Sequence, residues 1–213
     1  LNQILTMRTK FVEVIDDFLD KSYFDFIVND VMNDDNFPWY YSDDASYPDS
    51  VQYTVNGKMS NRQGFSNLII ENNHPRVSRE EYRRTTGYRL ADQIYPFALK
   101  VKSYLGARDV LRVRADMCLN NGEETIHGPH VDYPNQHHYS SILYLNETDG
   151  NTIIFNERAT DRQVQYSDMR DFTVQKVIEP KPNRLVVFDG RYIHTGCSPT
   201  QHKCRKLLNS NYR

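Results

Sequence analysis

Residues 127–155 read HGPHVDYPNQHHYSSILYLNETDGNTIIF, and the way this stretch divides decides the fold. Tyr139–Leu145 (YSSILYL) has the apolar and aromatic content of a strand. Asn146–Asn151, with Asp149-Gly150, is a turn, and Thr152–Phe155 begins another strand. Just upstream, His127–Tyr133 is an extended run carrying His130 and Asp132 two positions apart, so on a strand both side chains point to one face. An imidazole and a carboxylate so placed need one more ligand from a distant strand to hold a transition metal and leave other coordination positions open. His194 sits where that ligand is needed.

The same punctuation continues in both directions. Val110–Leu119 reads as a strand ending in the loop Asn120-Asn121-Gly122. Beyond a polar excursion over 156–171, strands are expected at Phe172–Ile178, Arg184–Phe188, Tyr192–Thr195 and Lys203–Asn211. About eight short strands separated by turn residues predict a double-stranded β-helix, the jelly-roll of cupin-like barrels. Residues 1–105 read as mixed and mostly helical. Phe11–Phe18 resembles a strand leading into a turn, and Ser22 is placed to cap a helix carrying Phe24, Ile27, Val28 and Val31. Residues 78–95 are charged and helical in character, and Pro96 begins or kinks a helix with Phe97, Val101 and Leu105 that Gly106 ends. The expectation is an α+β, mainly β chain forming a single domain over 1–213. In it 1–107 is a helical and loop support region, 108–213 is the β core, and N-terminal helices brace one sheet.

Composition sets the outer bounds. A chain of 213 residues can bury a substantial core without disulfides. Its net charge of −2 gives no global attraction to nucleic acid or anionic membrane, and neither is expected as a partner. No apolar run approaches the roughly 20 residues of a membrane span, no basic-then-apolar leader opens the chain, and the mean hydropathy is −0.72. Cys118, Cys197 and Cys204 do not form a disulfide framework, so reduced thiols in a cytoplasmic setting are expected. A zinc site built from Cys197, His202 and Cys204 with Cys118 matches no standard spacing.

In strand order, His130 and Asp132 fall on the second barrel strand and His194 on the seventh, strands that face each other in a rolled barrel. Two histidines and one carboxylate are the ligand set of a non-haem Fe(II) oxygenase. His127, His137 and His138 are the neighbouring alternatives. Arg205, on the last strand, offers a planar fork suited to a carboxylate, with Lys203 on the same strand face as its competitor. The basic cluster Arg79, Arg83, Arg84 and Arg89 is interleaved with Glu80 and Glu81 and reads as a solvated helix face. Residues 37–65, with Trp39 and Tyr41, have the composition of a loop that closes over a cavity, and are expected to supply the substrate-selective wall.

These residues resemble a known family, the Fe(II)/2-oxoglutarate-dependent dioxygenases, and especially its prolyl-hydroxylase-like branch. His130-Val131-Asp132-Tyr133-Pro134-Asn135 is followed by Tyr144-Leu145-Asn146, Asp149-Gly150-Asn151-Thr152 and Phe155. Ile178-Glu179-Pro180-Lys181, Arg184–Phe188, His194 and Arg205 then complete the order over residues 110–213. The resemblance implies that His130, Asp132 and His194 hold Fe(II), and that 2-oxoglutarate chelates the iron. The far carboxylate of 2-oxoglutarate would meet Arg205 with help from the Tyr144 hydroxyl. O2 is then the second cosubstrate, and ascorbate an auxiliary reductant. The implied reaction is hydroxylation of a C–H bond in a protein side chain, amino acid or small metabolite, with release of succinate and CO2. A nucleic-acid demethylase of the same superfamily is the alternative, set against the mildly acidic composition. A non-catalytic metal-binding, cupin-like barrel is another, set against the intact triad. The sequence departs from the family where Gly150-Asn151 replaces a frequent glycine pair, and in a longer loop, Cys197–His202, before the basic residue.

Overall fold

The computed structural model describes residues 11–42, 51–52, 54–56, 63–75, 86–159 and 168–213. The chain begins with β1 (Val12–Ile15) and α1 (Lys21–Phe26), which continues as a π-helical segment, Ile27–Met32. β2 (Tyr40–Ser42), β3 (Val51–Gln52), β4 (Gly64–Glu71) and β5 (His74–Pro75) lead to the long helix α2 (Thr86–Leu105). The barrel strands follow as β6 (Val110–Leu119), β7 (His130–Val131), β8 (Tyr139–Tyr144), β9 (Thr152–Arg158), β10 (Val174–Ile178), β11 (Leu185–Asp189), β12 (Tyr192–Gly196) and β13 (Cys204–Tyr212).

Two antiparallel sheets result. The larger has the order β1-β11-β8-β13-β6-β4-β2, with β5 on β4, and the smaller has the order β10-β9-β12-β7-β3. Barrel strands therefore divide equally, β6, β8, β11 and β13 against β7, β9, β10 and β12, the interleaving of a double-stranded β-helix. Along β6 the alternation is plain: Val113 and Ala115 join the main apolar core, while Arg112, Arg114 and Asp116 take the opposite face, between the sheets. That main core lies between the large sheet and the helices. Helix α2 contributes Leu90, Ala91, Ile94, Phe97, Ala98 and Val101, spaced at three and four residues, against Ile70, Val113, Leu143 and Leu208 of the sheet.

The expectation of a mostly helical first half needs correction, because β1 to β5 extend both sheets. β4 escapes pattern reading for a physical reason. Its register against β6 shifts between Leu68 and Ile70, and the irregularity breaks the two-residue period of its buried positions. Gly64 opens this strand because a Cβ there would lie 2.5 Å from the Met117 carbonyl oxygen. The helix cap also differs from expectation. Asp20, not Ser22, stands at the N-cap of α1, and no side chain bonds the first turn.

Pro96 lies inside α2 rather than at its start. A proline there crowds the preceding turn, and the ladder is opened by a side chain from the neighbouring helix. The Tyr23 hydroxyl accepts from the Phe97 backbone N–H at 3.1 Å and donates to the Gln93 carbonyl at 2.8 Å, taking the place of the direct bond between them. Helix α1 is thereby fastened to the site of the break. Gly106, at φ 64°, then ends the helix as expected. Tyr23→Phe should lower the unfolding free energy by about 1–3 kcal/mol, since it strands a donor and an acceptor together. Urea unfolding of the two proteins checks this, and unchanged stability would mean the helix closes the gap unaided.

Candidate active site

His130 and His194 are direct register partners across β7 and β12, with ring centroids 4.5 Å apart. Each ring is oriented by its own backbone. His130 Nδ1 meets the Gly128 carbonyl at 3.0 Å, and His194 Nδ1 meets the Tyr192 carbonyl at 3.1 Å. A carbonyl only accepts, so Nδ1 carries the proton and Nε2 presents its lone pair. Asp132 lies just past the end of β7, in a bend rather than on the strand. Its Oδ1 is 3.9 Å from His130 Nε2 and its Oδ2 is 4.0 Å from His194 Nε2. Among the described residues, this is the cluster of histidine and carboxylate ligands that could hold a metal ion, with all three ligand atoms within 4.8 Å of one another.

Burial and charge prepare these groups as ligands. Burial and the neighbouring His194 push His130 down to about 4, and burial also lowers His194, so both rings are neutral near pH 7. Burial acts to raise Asp132, but Arg112 and the two histidines outweigh it and hold the carboxyl well below the usual range.

The two histidines of the triad line a cavity that Arg205 also lines. This guanidinium is 3% exposed and bonds to Thr152 Oγ1 at 2.6 Å. Among the described residues its Nε, which is buried, has no hydrogen-bond partner. The Tyr144 hydroxyl also donates to Thr152 Oγ1, at 2.6 Å, and the Tyr144 ring stacks 5.5 Å from the guanidinium carbon. With two bonds accepted, Thr152 keeps its own proton to donate, and Thr152 lines the cavity. Two glycines make room for the cation. A Cβ on Gly196 would stand 2.8 Å from Arg205 Nη1, and one on Gly150 would stand 2.9 Å from its Cδ. Gly150 is therefore the half of the frequent glycine pair that space demands. The longer loop after β12 is tied down by Asp149, which accepts from Thr200 N, Gln201 N and His202 Nδ1 at 2.8–2.9 Å.

The other sequence candidates separate cleanly. Lys203 is exposed and precedes β13, outside the cavity lining. His138 is buried over Gly190, and His137 faces Asp189 at 3.9 Å. His127 lines the cavity near Arg205, but its Nε2 bonds Ser198 Oγ at 3.0 Å beside Cys118. All three cysteines are free, and burial pushes the Cys197 thiol up to about 11. Arg79, Arg83 and Arg84 lie outside the described residues. The closing loop is corrected in part: Trp39 stacks on Phe37, 4.6 Å between centroids, against the main core. Tyr40–Ser42 pairs with β4 at the far edge of the large sheet, and Tyr41 meets Phe65 there. The part of residues 37–65 that reaches the site is β3, where Gln52 pairs with His130; residues 43–50, 53 and 57–62 lie outside the described residues. Arg112, Arg114, Asp116, Ser140, Thr152 and Asn211 escaped sequence reading. The alternation Arg-x-Arg-x-Asp inside the apolar strand Val110–Leu119 was the available signal for the first three.

A double-stranded β-helix that brings two histidines and a buried guanidinium to one cavity, with a carboxylate beside the histidines, suits a metal-dependent oxygenase. Residues 117–213 match the 2OG-Fe(II) oxygenase superfamily, and the fold over nearly the whole chain is prolyl-4-hydroxylase-like; together they support an Fe(II)- and 2-oxoglutarate-dependent oxygenase. A prolyl-4-hydroxylase from Pseudomonas putida is similar over 96% of this chain and 94% of its own, at 16% identity and a TM-score of 0.55. A prolyl hydroxylase from Trichoplax adhaerens, in complex with a hypoxia-inducible-factor peptide fragment, covers 96% and 84% at 16% identity and a TM-score of 0.58. The epimerase SnoN, in complex with Fe3+, alpha-ketoglutarate and nogalamycin RO, covers 95% and 78% at 9% identity and a TM-score of 0.55. No curated protein matches in sequence. Among the described residues no helix is long and apolar enough to cross a membrane.

Acid should expose the buried histidines. His130 and His138 fall from an ordinary value of 6.5 to about 4, both mainly by burial. Held neutral, they contribute stability in full above pH 6.5 and lose it as the pH falls toward 4, because the unfolded chain then binds more protons. The metal-free protein should therefore lose on the order of 3 kcal/mol for each of these histidines across that window, and His138→Gln should lose about half as much. Urea titrations at stepped pH test this; parallel profiles for the two proteins would remove His138 from the account.

Proposed function

We propose that His130, Asp132 and His194 hold Fe(II), and that Arg205 and Thr152 receive the distal carboxylate of 2-oxoglutarate, as a single catalytic domain over 1–213. The observation that supports this most is the pairing of two freed imidazole Nε2 atoms and a carboxylate with an incompletely partnered, buried Arg205 across one cavity. Fe(II) prefers such a nitrogen and oxygen donor set with positions left open. When bound, iron and 2-oxoglutarate would supply, with O2 as the oxidant, oxidative decarboxylation to succinate and CO2, one oxygen atom passing to succinate and the other to a substrate C–H bond that becomes C–OH.

The protein's own part is placement. Asp132 and the Nδ1 bonds of the two histidines fix the donor directions, while Arg205 and the Thr152 proton set the depth of the cosubstrate. Tyr144 serves indirectly, by occupying a lone pair of Thr152. Hydroxylation of a protein side chain, an amino acid or a small metabolite is the reading we favour. The peptide complex of the Trichoplax relative supports the first of these. The mildly acidic chain, with its net charge of −2, supports a substrate other than nucleic acid. Three free thiols fit a reducing, cytoplasmic setting.

Replacing His130, Asp132 or His194 by Ala should abolish most Fe(II) or Mn(II) binding with the barrel still folded. Arg205→Ala should weaken 2-oxoglutarate by about 10- to 100-fold, the loss of a buried charge-assisted bond. Tyr144→Phe should cost less and Lys203→Ala nothing. Isothermal titration of 2-oxoglutarate into the Mn(II) forms, with succinate release across a substrate panel, is the measurement. Normal turnover by His194→Ala would defeat the assignment.

A further inference from the structure

Arg112, Asn211 and Ser140 stand in one row across three adjacent strands of the large sheet. Asn211 on β13 is the register partner of Arg112 on β6 and of Ser140 on β8. All three side chains end on one carboxylate, that of Asp132. Arg112 Nη2 lies 2.9 Å from Oδ1. Asn211 Nδ2 donates to Oδ2 at 2.9 Å, and Ser140 Oγ donates to the same oxygen at 3.4 Å. Asn211 also donates to Ser140 Oγ at 3.0 Å, so the row is bound to itself as well as to its guest. The Arg112 and Asp132 side chains are 1% and 2% exposed, and the Arg112 guanidinium lies 5.6 Å from the Tyr133 ring centroid.

Orientation alone does not call for this arrangement, since two neutral donors already fix the carboxylate plane. A full positive charge beside a metal ligand works against binding a dication at the same oxygens. Its favourable role is in the metal-free protein, where a carboxylate sealed from water and lacking a countercharge would be strongly destabilising. Arg112 does not line the cavity, so its influence on an occupant passes through Asp132, which it contacts directly.

We infer that Arg112 is the resident counter-cation of Asp132: it keeps the empty metal centre assembled, and it weakens metal binding until an anionic cosubstrate arrives. The inference rests on Asp132 being a metal ligand. With Arg112 cancelling Asp132, a bound divalent metal brings two uncompensated charges into the site, and 2-oxoglutarate carries two of the opposite sign. Without Arg112, Asp132 itself neutralises one of them. Arg112 therefore couples metal to cosubstrate, and is a positioning residue.

The test is Mn(II) affinity, read from the electron paramagnetic resonance signal of free Mn(II), with and without 2-oxoglutarate, together with melting temperatures. Arg112→Met should bind Mn(II) alone about tenfold more tightly than the natural protein, because a buried like charge has gone. Its gain in metal affinity on adding 2-oxoglutarate should shrink. The metal-free variant should melt lower, and Mn(II) should close the gap. Arg112→Lys keeps the charge and should stay within about threefold of the natural affinity, whereas Asn211→Ala, which loses only a donor, should weaken Mn(II) by about 10- to 100-fold. Weaker Mn(II) binding by Arg112→Met, matching Asn211→Ala, would overturn the inference. Should Arg112→Met fold only with Mn(II), the inference is supported; should it fold under neither condition, Arg112→Lys decides, and a loss beyond about tenfold there overturns it. Asp132→Ala separates the two readings, since Mn(II) binding undiminished in that variant would remove the metal centre itself.

Discussion

The antiparallel pairing of His130 with His194 is the constraint on which the rest of the site depends. Strand β7 is only two residues long, so its register is set by its neighbours rather than by its own length. The apolar residues between the ligands supply the setting. Val131 and Ile193 point to the opposite face, where they pack with Phe155 and Phe172. A slip of one residue would bury the imidazoles among those rings and turn Val131 and Ile193 toward the cavity. Ligand geometry on the inside is thus specified by hydrophobic burial on the outside, and the carbonyls of Gly128 and Tyr192 then settle which ring nitrogen faces inward.

Charge inside the barrel follows a second rule: it is cancelled in pairs except where a ligand is to bind. Asp132 faces Arg112 at 2.9 Å, and Arg114 grips Asp116 with contacts of 2.8 and 3.1 Å. Buried ions without such partners would be strongly destabilising. Among the described residues, Arg205 bonds Thr152 and stacks on the Tyr144 ring, both neutral. Among the described residues the cavity therefore carries, besides the Arg114–Asp116 pair, one further cation, Arg205, which favours an anionic occupant. A dication held by His130, Asp132 and His194 would add to that field, so that the two occupants would favour each other.

Much of this was legible in the sequence where the determinants are local. Strand boundaries from Val110 onward follow from turn residues and alternation, and Val110–Leu119 is matched at both ends. The clustering of His130, Asp132 and His194 follows from the order of the strands, although Asp132 lies in a bend rather than on the strand its spacing suggested, and Arg205 falls on the last barrel strand as expected. What could not be read depends on register between strands far apart in sequence. Asn211 meets Arg112 and Ser140 only once β13 is threaded between β6 and β8. Thr152 gains its role because β9 brings it beneath Arg205, and nothing within its own segment signals that. β4 was hidden by its irregular register, and the N-cap falls on Asp20 rather than Ser22, a choice that capping preferences alone do not make.

The polar contacts at the two ends of the cavity have one more property: each joins one sheet to the other. Thr152 belongs to the small sheet and is held by Tyr144 and Arg205 of the large one, while Asp132, at the end of β7, is held by Arg112, Asn211 and Ser140 of the large sheet. The site's chemical groups are therefore also cross-bracing, and the barrel walls are kept at their working separation by the atoms that receive the ligands. Buried ion pairs can often be exchanged for apolar residues with a gain in stability. That route to a sturdier barrel is closed here, because the same exchange would empty the site of its function.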